Sequence, residues 1–289
     1  MENFKYRLIY IIMKTIALLP LGVLYIFSDF MYVLMYHVVK YRRKVVKINL
    51  KNSFPDYSDK ELLRIEKNFY RHLADCFVET IKLLHISDSE ADKRIVVKNG
   101  ELIDELSSDG RSVILLLGHY GNWEWITAIN RHFRISNSFQ IYRPLKNHAF
   151  DRLMLKIRGR FGSQCIPQKK AIRTLVEVNR NSQFVVGFVA DQRPNKANVD
   201  HCVNFLNQQT ICSVGGEYLS RKLNTHILFV DLSKPKRGHY EIEFKKIEPA
   251  DSSSDYPVTD EFMHMLERNI IKNPHLWLWS HNRWSRKYK

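Results

Sequence analysis

The most apolar stretch of the chain is residues 8–39, LIYIIMKTIALLPLGVLYIFSDFMYVLMYHVV, interrupted by only three groups that can carry charge, Lys14, Asp29 and His37. Membrane contact is the expected fate of such a segment, with a buried core hairpin as the competing one. A clean span needs about 20 apolar residues, and a Lys or Asp near mid-bilayer costs about 2.5–3.5 kcal/mol on insertion scales. Residues 15–28 are uncharged but fall short of that length. Two arrangements stay open: a tilted span with Lys14 snorkelling, or a break at Pro20 that lays two helices in the interface. The basic run that follows, Lys40, Arg42, Arg43, Lys44 and Lys47, outweighs Lys5 and Arg7 upstream. The positive-inside rule then puts the body in the cytoplasm, giving an expected anchor over residues 1–40 and a cytoplasmic domain over residues 41–289. A cleavable signal peptide fits poorly, because the apolar region is too long and no small-residue cleavage site follows it.

Further along, Leu62, Leu63, Ile65, Phe69, Leu73, Phe77, Ile81 and Leu84 recur at helical spacing, and Ser58 with Glu61 three residues on forms a capping box. Residues 58–85 are therefore expected to be one long helix. From residue 112 the pattern changes. Short apolar runs at 112–118, 138–142, 183–190, 225–232 and 239–247 read as strands, and amphipathic stretches at 122–133, 147–161, 168–180, 213–222 and 258–273 read as helices. Interleaved strands and helices predict an α/β body: a mostly parallel sheet, mixed at its far edge, flanked by helices. Residues 249–257, with Ser252, Ser253 and Ser254, are the expected exposed loop.

Composition narrows the class. With 289 residues, 45% apolar and 26% charged, the chain is globular, and disordered, collagen-like and coiled-coil readings fail. A net charge of +15 calls for an anionic partner: nucleic acid, an acidic lipid headgroup or an acidic carrier protein. Nucleic acid is disfavoured, since no recognisable nucleic-acid-binding motif accompanies the charge. Cys76, Cys165, Cys202 and Cys212 are widely spread, with neither C-x-x-C nor a Cys/His spacing suited to zinc, so no metal and reduced thiols are expected.

The sharpest chemical feature is SVILLLGHYGNWEW, residues 112–125: a buried strand running to Gly118, then His119, a turn through Gly121 and Asn122, and Glu124 at the start of a helix. On one regular helix His119 and Glu124 would lie about 140° apart, so they can meet only if His119 sits in the preceding loop. Asn122 is the candidate N-cap. A carboxylate on one imidazole nitrogen leaves the other basic and aimed outward, the arrangement a general base needs. Placement at the carboxyl end of a buried strand, where α/β sheets bind ligands, favours this over a histidine that merely ends the strand. No G-x-S-x-G elbow surrounds Ser112 or Ser213, which disfavours a serine hydrolase.

These residues resemble the first block of the bacterial late acyltransferases of lipid A biosynthesis, within the H-x4-D/E group of lipid acyltransferases. IYRPLKN, with Tyr142, Arg143, Pro144 and Asn147, then Arg152 and the RFG at residues 160–162, looks like the second block. VADQRP, with Asp191, Gln192, Arg193 and Pro194, looks like the third, and LERNIIKNPHLWLWSHNRW like the carboxyl-terminal signature. Leu206 and Asn207 stand where the family usually has a glycine. The resemblance implies a glycerol-3-phosphate acyltransferase-like body at the cytoplasmic face of the bacterial inner membrane. It also implies transfer of a fatty acyl chain from an acyl carrier protein thioester to a hydroxyl of an anionic lipid A precursor, without metal or cofactor. His119 would be the general base, with Glu124 fixing its tautomer. Arg143, Asn147, Arg152, Asp191, Gln192 and Arg193 would hold substrate. Acylation of another lipid acceptor, an amino-acid lipid or a glycolipid, is the alternative. Candidate carrier-docking patches are Arg42, Arg43 and Lys44, or the region of Arg283 and Arg286. Trp277, Trp279 and Trp284 belong either to the core or to the membrane interface, core being favoured for the first two.

Overall fold

The computed structural model describes residues 2–194, 201–251 and 253–285. In chain order its elements are α1 (Glu2–Leu18), α2 (Leu21–Val33), α3 (Arg43–Ser53), α4 (Asp59–Lys82), α5 (Asp88–Arg94), β1 (Ile95–Val97), α6 (Glu101–Ser107), β2 (Val113–Leu117), β3 (Ser138–Tyr142), α7 (His148–Arg158), β4 (Gln164–Pro167), α8 (Ala171–Asn179), β5 (Val185–Val189), β6 (Cys202–Phe205), β7 (Gln208–Ile211), α9 (Gly215–Leu223), β8 (His226–Lys236), β9 (His239–Lys246) and α10 (Pro257–Lys272). Seven strands form one sheet in the order β1-β9-β8-β2-β5-β3-β4. Its pairs are parallel except β8 with β9, which form an antiparallel hairpin. The expected α/β architecture is thus present, with its antiparallel pair toward one edge.

Every residue of β2 is buried, as befits an uninterrupted apolar run flanked by strands on both sides. Its neighbours are β5 and β8: from β2 the chain crosses to β3 on the β5 side, and from β5 it later returns past β2 to β8 on the other. The carboxyl end of β2 is therefore a topological switch point, the place where an open α/β sheet leaves a crevice. The expected helix at 122–133 is instead a 3-10 helix, Trp123–Arg131, and no side chain caps it. Asn122 is drawn away from the cap because its amide donates to buried Glu79 Oε2 at 2.8 Å. The β6–β7 hairpin turns through Leu206 and Asn207, both with positive φ (51° and 59°). Two such residues define the turn type that fits a tight hairpin, and a leucine there carries strain that glycine avoids. The buried Leu206 side chain, and its backbone N–H donated to Glu267 at 2.6 Å, hold it in place.

At the amino-terminal end the chain breaks at Pro20, which occupies the N-cap of α2 and cannot continue α1. α2 runs on through a π-helical turn, Leu34–Val38. One side of this pair docks on α4. Leu21, Leu24 and Ser28 are buried, Ser28 donates to Asp75 at 2.7 Å, Tyr25 donates to Glu79 at 3.0 Å, and Lys82 Nζ donates to the Ala17 and Leu19 carbonyls at 2.9 Å. The other side exposes Ile26, Phe27, Phe30, Val33, Leu34 and Val38. Among the described residues, Leu21–Val38 is the one helical stretch long and apolar enough to cross a membrane, and only 22% of it is buried. A core hairpin would bury these side chains, so that alternative is not what the structure shows.

The carboxyl-terminal aromatics are core. Trp277 and Trp279 are buried, and Trp284 is half-buried with its indole donating to Thr210 at 2.8 Å. Arg283, expected at an interface or docking face, is instead buried and donates to the Ile211 carbonyl. Arg42 donates to the Ser280 carbonyl, and Arg43 pairs with Glu66 and Tyr36. These guanidiniums fasten α3 to its surroundings; Arg42 and Lys44 are exposed and Arg43 is half-buried. Arg286 lies outside the described residues.

A contiguous apolar face of this size marks a membrane or partner contact. The full chain should pellet with membranes, stay there in about 1 M salt, where charge attraction is screened to a few ångströms, and be released by detergent. Release by salt alone, followed by sedimentation of the supernatant, would show that charge rather than the α2 face holds it.

Candidate active site

Register places the central pair. β2 and β5 are adjacent and parallel, with Leu117 opposite Val189, and Ala190 N–H donates to the Leu117 carbonyl at 2.9 Å. His119 and Asp191 each lie two residues beyond, so the two strand ends deliver them side by side. His119 Nδ1–H donates to Asp191 Oδ1 at 2.6 Å. Asp191 is buried, and its second oxygen accepts from Trp277 Nε1 at 2.8 Å. Burial alone would raise this carboxyl. Attraction to His119 in its protonated form, with the hydrogen bonds from His119 and the Trp277 indole, outweighs burial and holds it below the usual carboxylate range. An ionised Asp191 on Nδ1 assigns the proton to that nitrogen and leaves Nε2 with its lone pair. The Gln192 amide donates to Nε2 at 3.1 Å, and Trp123 stacks edge-on against the ring with centroids 4.9 Å apart.

The turn behind His119 admits only glycine at residue 121. Gly121 has φ +61°, and a Cβ there would lie 2.1 Å from Leu232 Cδ2. An isolated bridge from Tyr120 to Trp277, and the Gly121 N–H to Leu276 carbonyl bond at 2.9 Å, tie this turn to the carboxyl-terminal segment.

Glu124 does not meet His119 among the described residues. Its carboxylate is taken bidentately by Arg158, Nε at 2.8 Å and Nη2 at 2.5 Å. In the first turn of the 3-10 helix Glu124 turns toward the carboxyl end of α7, while the imidazole turns toward β5. The expectation that Glu124 fixes the His119 tautomer is corrected by this geometry: Asp191 has that place. Arg158 had no signal of its own in the sequence, because its partner lies 34 residues away and only the packing of α7 on the sheet joins them.

Beside His119 opens a cavity of about 680 Å³, which Glu124 and Arg158 also line. Its floor is one face of the sheet, Leu115 and Leu117 of β2, Phe139 of β3, and Val185, Gly187 and Val189 of β5, and Ile126, Ile129 and Leu219 close it from the helices. A preformed chamber whose floor is this apolar sheet face suits an extended hydrocarbon ligand. Arg143, Gln192 and Arg193 also line it, the two arginines exposed, with Arg193 bonded to Ser285. Two other expected substrate ligands serve elsewhere. Asn147 caps α7, its side-chain oxygen accepting from the Ala149 and Phe150 N–H groups at 3.1 and 3.3 Å. Arg152 lies over the Tyr6 ring, 4.1 Å from its centroid, and so joins α7 to α1. Burial pushes the nearby Cys165 thiol up to about 11, so it is no thiolate nucleophile at neutral pH.

The family model for the bacterial lipid A biosynthesis acyltransferases matches residues 2–286, and the chain belongs to that family. No curated protein matches the chain. The family assignment establishes a lipid A biosynthesis acyltransferase acting on a lipid acceptor.

The two carboxylates should respond differently to neutralisation. Asp191→Asn removes the charge that sets the tautomer and should lower kcat about 10²–10⁴-fold with little change in melting temperature. Glu124→Gln leaves Arg158 without its counter-charge, which for a buried pair costs up to about 3–5 kcal/mol, and should lower the melting temperature first. Steady-state kinetics and thermal melts of both variants decide it: kcat collapse in Glu124→Gln at unchanged stability would return the orienting role to Glu124.

Proposed function

We propose that the chain transfers a fatty acyl group from an acyl carrier protein thioester to a hydroxyl of a lipid A precursor at the cytoplasmic face of the inner membrane, with His119 as general base. One observation carries the reading: His119 stands at the end of an apolar chamber with the proton assigned to Nδ1 by buried Asp191 and Nε2 turned toward Gln192.

The acceptor hydroxyl displaces the Gln192 amide from Nε2 and gives its proton to that nitrogen as its oxygen attacks the thioester carbonyl. Asp191 steadies the imidazolium, and Trp277 keeps Asp191 in place. The tetrahedral intermediate collapses by breaking the carbon–sulfur bond, and the imidazolium returns the proton to the departing thiolate. The products are an ester and the free carrier thiol, and no acyl-enzyme is needed. The Gln192 amide, once displaced, supplies a donor for the developing oxyanion. Glu124 and Arg158 are a positioning pair in the wall of the chamber. Arg143 and Arg193, exposed beside it, meet the phosphates of the acceptor or the acidic surface of the carrier protein, since guanidinium matches phosphate and carboxylate geometry. Residues 1–40 act as the membrane anchor through the outer face of α2, and residues 41–289 carry the chemistry.

Purified protein should acylate a lipid A precursor with acyl carrier protein as donor, read by mass spectrometry of the product. The His119→Ala protein should remain folded and membrane-bound yet lose transfer. Turnover of His119→Ala at the native rate would sink the mechanism, and equal efficiency with the matching coenzyme A ester at low salt would sink the carrier assignment. Chain length supplies a further expectation. A Cβ on Gly187 meets nothing nearer than 3.9 Å, so Gly187→Leu should fold and push its side chain into the chamber. Each lost methylene of pocket is worth about 1–3 kcal/mol. The variant should therefore favour shorter acyl donors than the wild type, measured by kcat/KM across a donor series.

A further inference from the structure

A second recess, about 270 Å³, lies between α4, the β8–β9 turn and the segment after α10. Four cations line it, Arg71, Lys234, Lys236 and Arg237, against one carboxylate, Asp75. The pairing within it is uneven. Arg237 is held by Asp75, with Nη2 at 2.6 Å, and by Asp29 at 2.6 Å. Lys234 reaches Asp75 at 3.5 Å and donates to His72 Nδ1 at 3.0 Å. Arg71 bonds Asn68 at 3.2 Å and lies 5.0 Å over the Tyr32 ring. Among the described residues neither Arg71 nor Lys236 has a carboxylate partner. His72 and His275 add no carboxylate either, and burial together with the Lys234 charge pushes both below the usual imidazole range. The recess therefore holds an excess of positive charge that its own acid does not neutralise.

Its neighbour is the surface already described. Tyr32, beneath Arg71, and Tyr25, whose ring lies 4.3 Å from the Arg237 guanidinium, belong to α2, and the outer face of α2 exposes Ile26, Phe27, Phe30 and Val33. A cationic recess at the foot of an exposed apolar helix matches a molecule with an anionic head and hydrocarbon tails. We propose that this recess binds the phosphate of an anionic membrane lipid, with Arg71 and Lys236 as its free donors and the lipid tails lying along α2. The site is separate from the chamber beside His119; His72, which accepts from Lys234, stands beside Cys76, whose thiol donates to the Gly121 carbonyl of the catalytic turn at 3.6 Å.

The full chain in uncharged detergent, wild type and His119→Ala, tests this by calorimetric titration with dihexanoylphosphatidylglycerol, dihexanoylphosphatidylcholine and inorganic phosphate. Phosphatidylglycerol should bind at least about tenfold more tightly than phosphatidylcholine, whose choline cation cancels the head charge, and than phosphate, which has no tails; tenfold corresponds to about 1.4 kcal/mol. Arg71→Ala combined with Lys236→Ala should abolish that preference. Arg134→Ala combined with Arg180→Ala, both exposed and outside the recess, should retain it. Because His119→Ala should bind as wild type does, failure of acyl transfer and failure of this site are read separately. Equal affinity for both lipids, or unchanged binding by the Arg71/Lys236 variant, overturns the proposal. Inorganic phosphate binding as tightly as phosphatidylglycerol would also overturn it, in favour of a free-phosphate site.

Discussion

Glu79, with no exposure at all, is the group on which the arrangement of the catalytic turn depends. Its carboxylate accepts from Tyr25 of α2, Asn122 of the turn after His119 and Tyr240 of β9, at 3.0, 2.8 and 2.6 Å, while its carbonyl accepts from the Trp125 indole at 2.9 Å. Removing an ionised carboxylate from water costs several kcal/mol, so it persists in a core only where hydrogen bonds replace the lost hydration. None of these donors is a cation. Burial pushes the Tyr240 hydroxyl well above its ordinary range, which keeps it a donor. The outcome is a mutual constraint: the amino-terminal helices, β9 of the sheet and the active-site turn can each satisfy Glu79 only in their present places.

The same economy of buried charge sorts the acids around His119. Asp191 is reached by two strand ends in register and accepts from an imidazole and an indole. Glu124 belongs to a guanidinium whose fork matches it. Each carboxylate has one partner set, and neither competes for the other's. The imidazole therefore keeps a single tautomer, a condition for a base that accepts a proton on one side and is steadied on the other. The cavity draws on the same frame, because the sheet face that delivers His119 also supplies the apolar floor.

α4 performs a third task. It is amphipathic, but its buried side carries Glu66, His72, Asp75, Glu79 and Lys82 among the apolar residues. Those groups receive α1, α2, α3 and the β8–β9 turn through hydrogen bonds and ion pairs. An apolar seam would have let α2 slide or leave for the bilayer; directional bonds from Ser28, Tyr25 and Lys82 fix its depth and rotation. The outward apolar face is thereby held at a set angle to the chamber.

Much of this was legible along the chain. The five strands and the Ser58 capping box are local: they depend on a period of two or 3.6 residues and on one cap, and the structure has them at β2, β3, β5, β8 and β9 and at the start of α4. The break at Pro20 and the glycine turn after His119 follow equally from single-residue stereochemistry. The short strands β1, β4, β6 and β7 were not legible, since three or four residues of mixed character acquire strand geometry only from a partner edge. Nor was the pairing of acids: His119 lies five residues from Glu124 but 72 from Asp191, and sequence proximity favoured the wrong one. The fates of Asn147, Arg152 and Arg283 as cap, ring contact and buried donor were equally hidden. Sequence determined which residues can do chemistry and which face of each element is apolar, because those are properties of the residue and its period. Tertiary structure decided which carboxylate meets the imidazole, because hydrogen-bond partners are selected by strand register and helix packing across distances that no local pattern encodes.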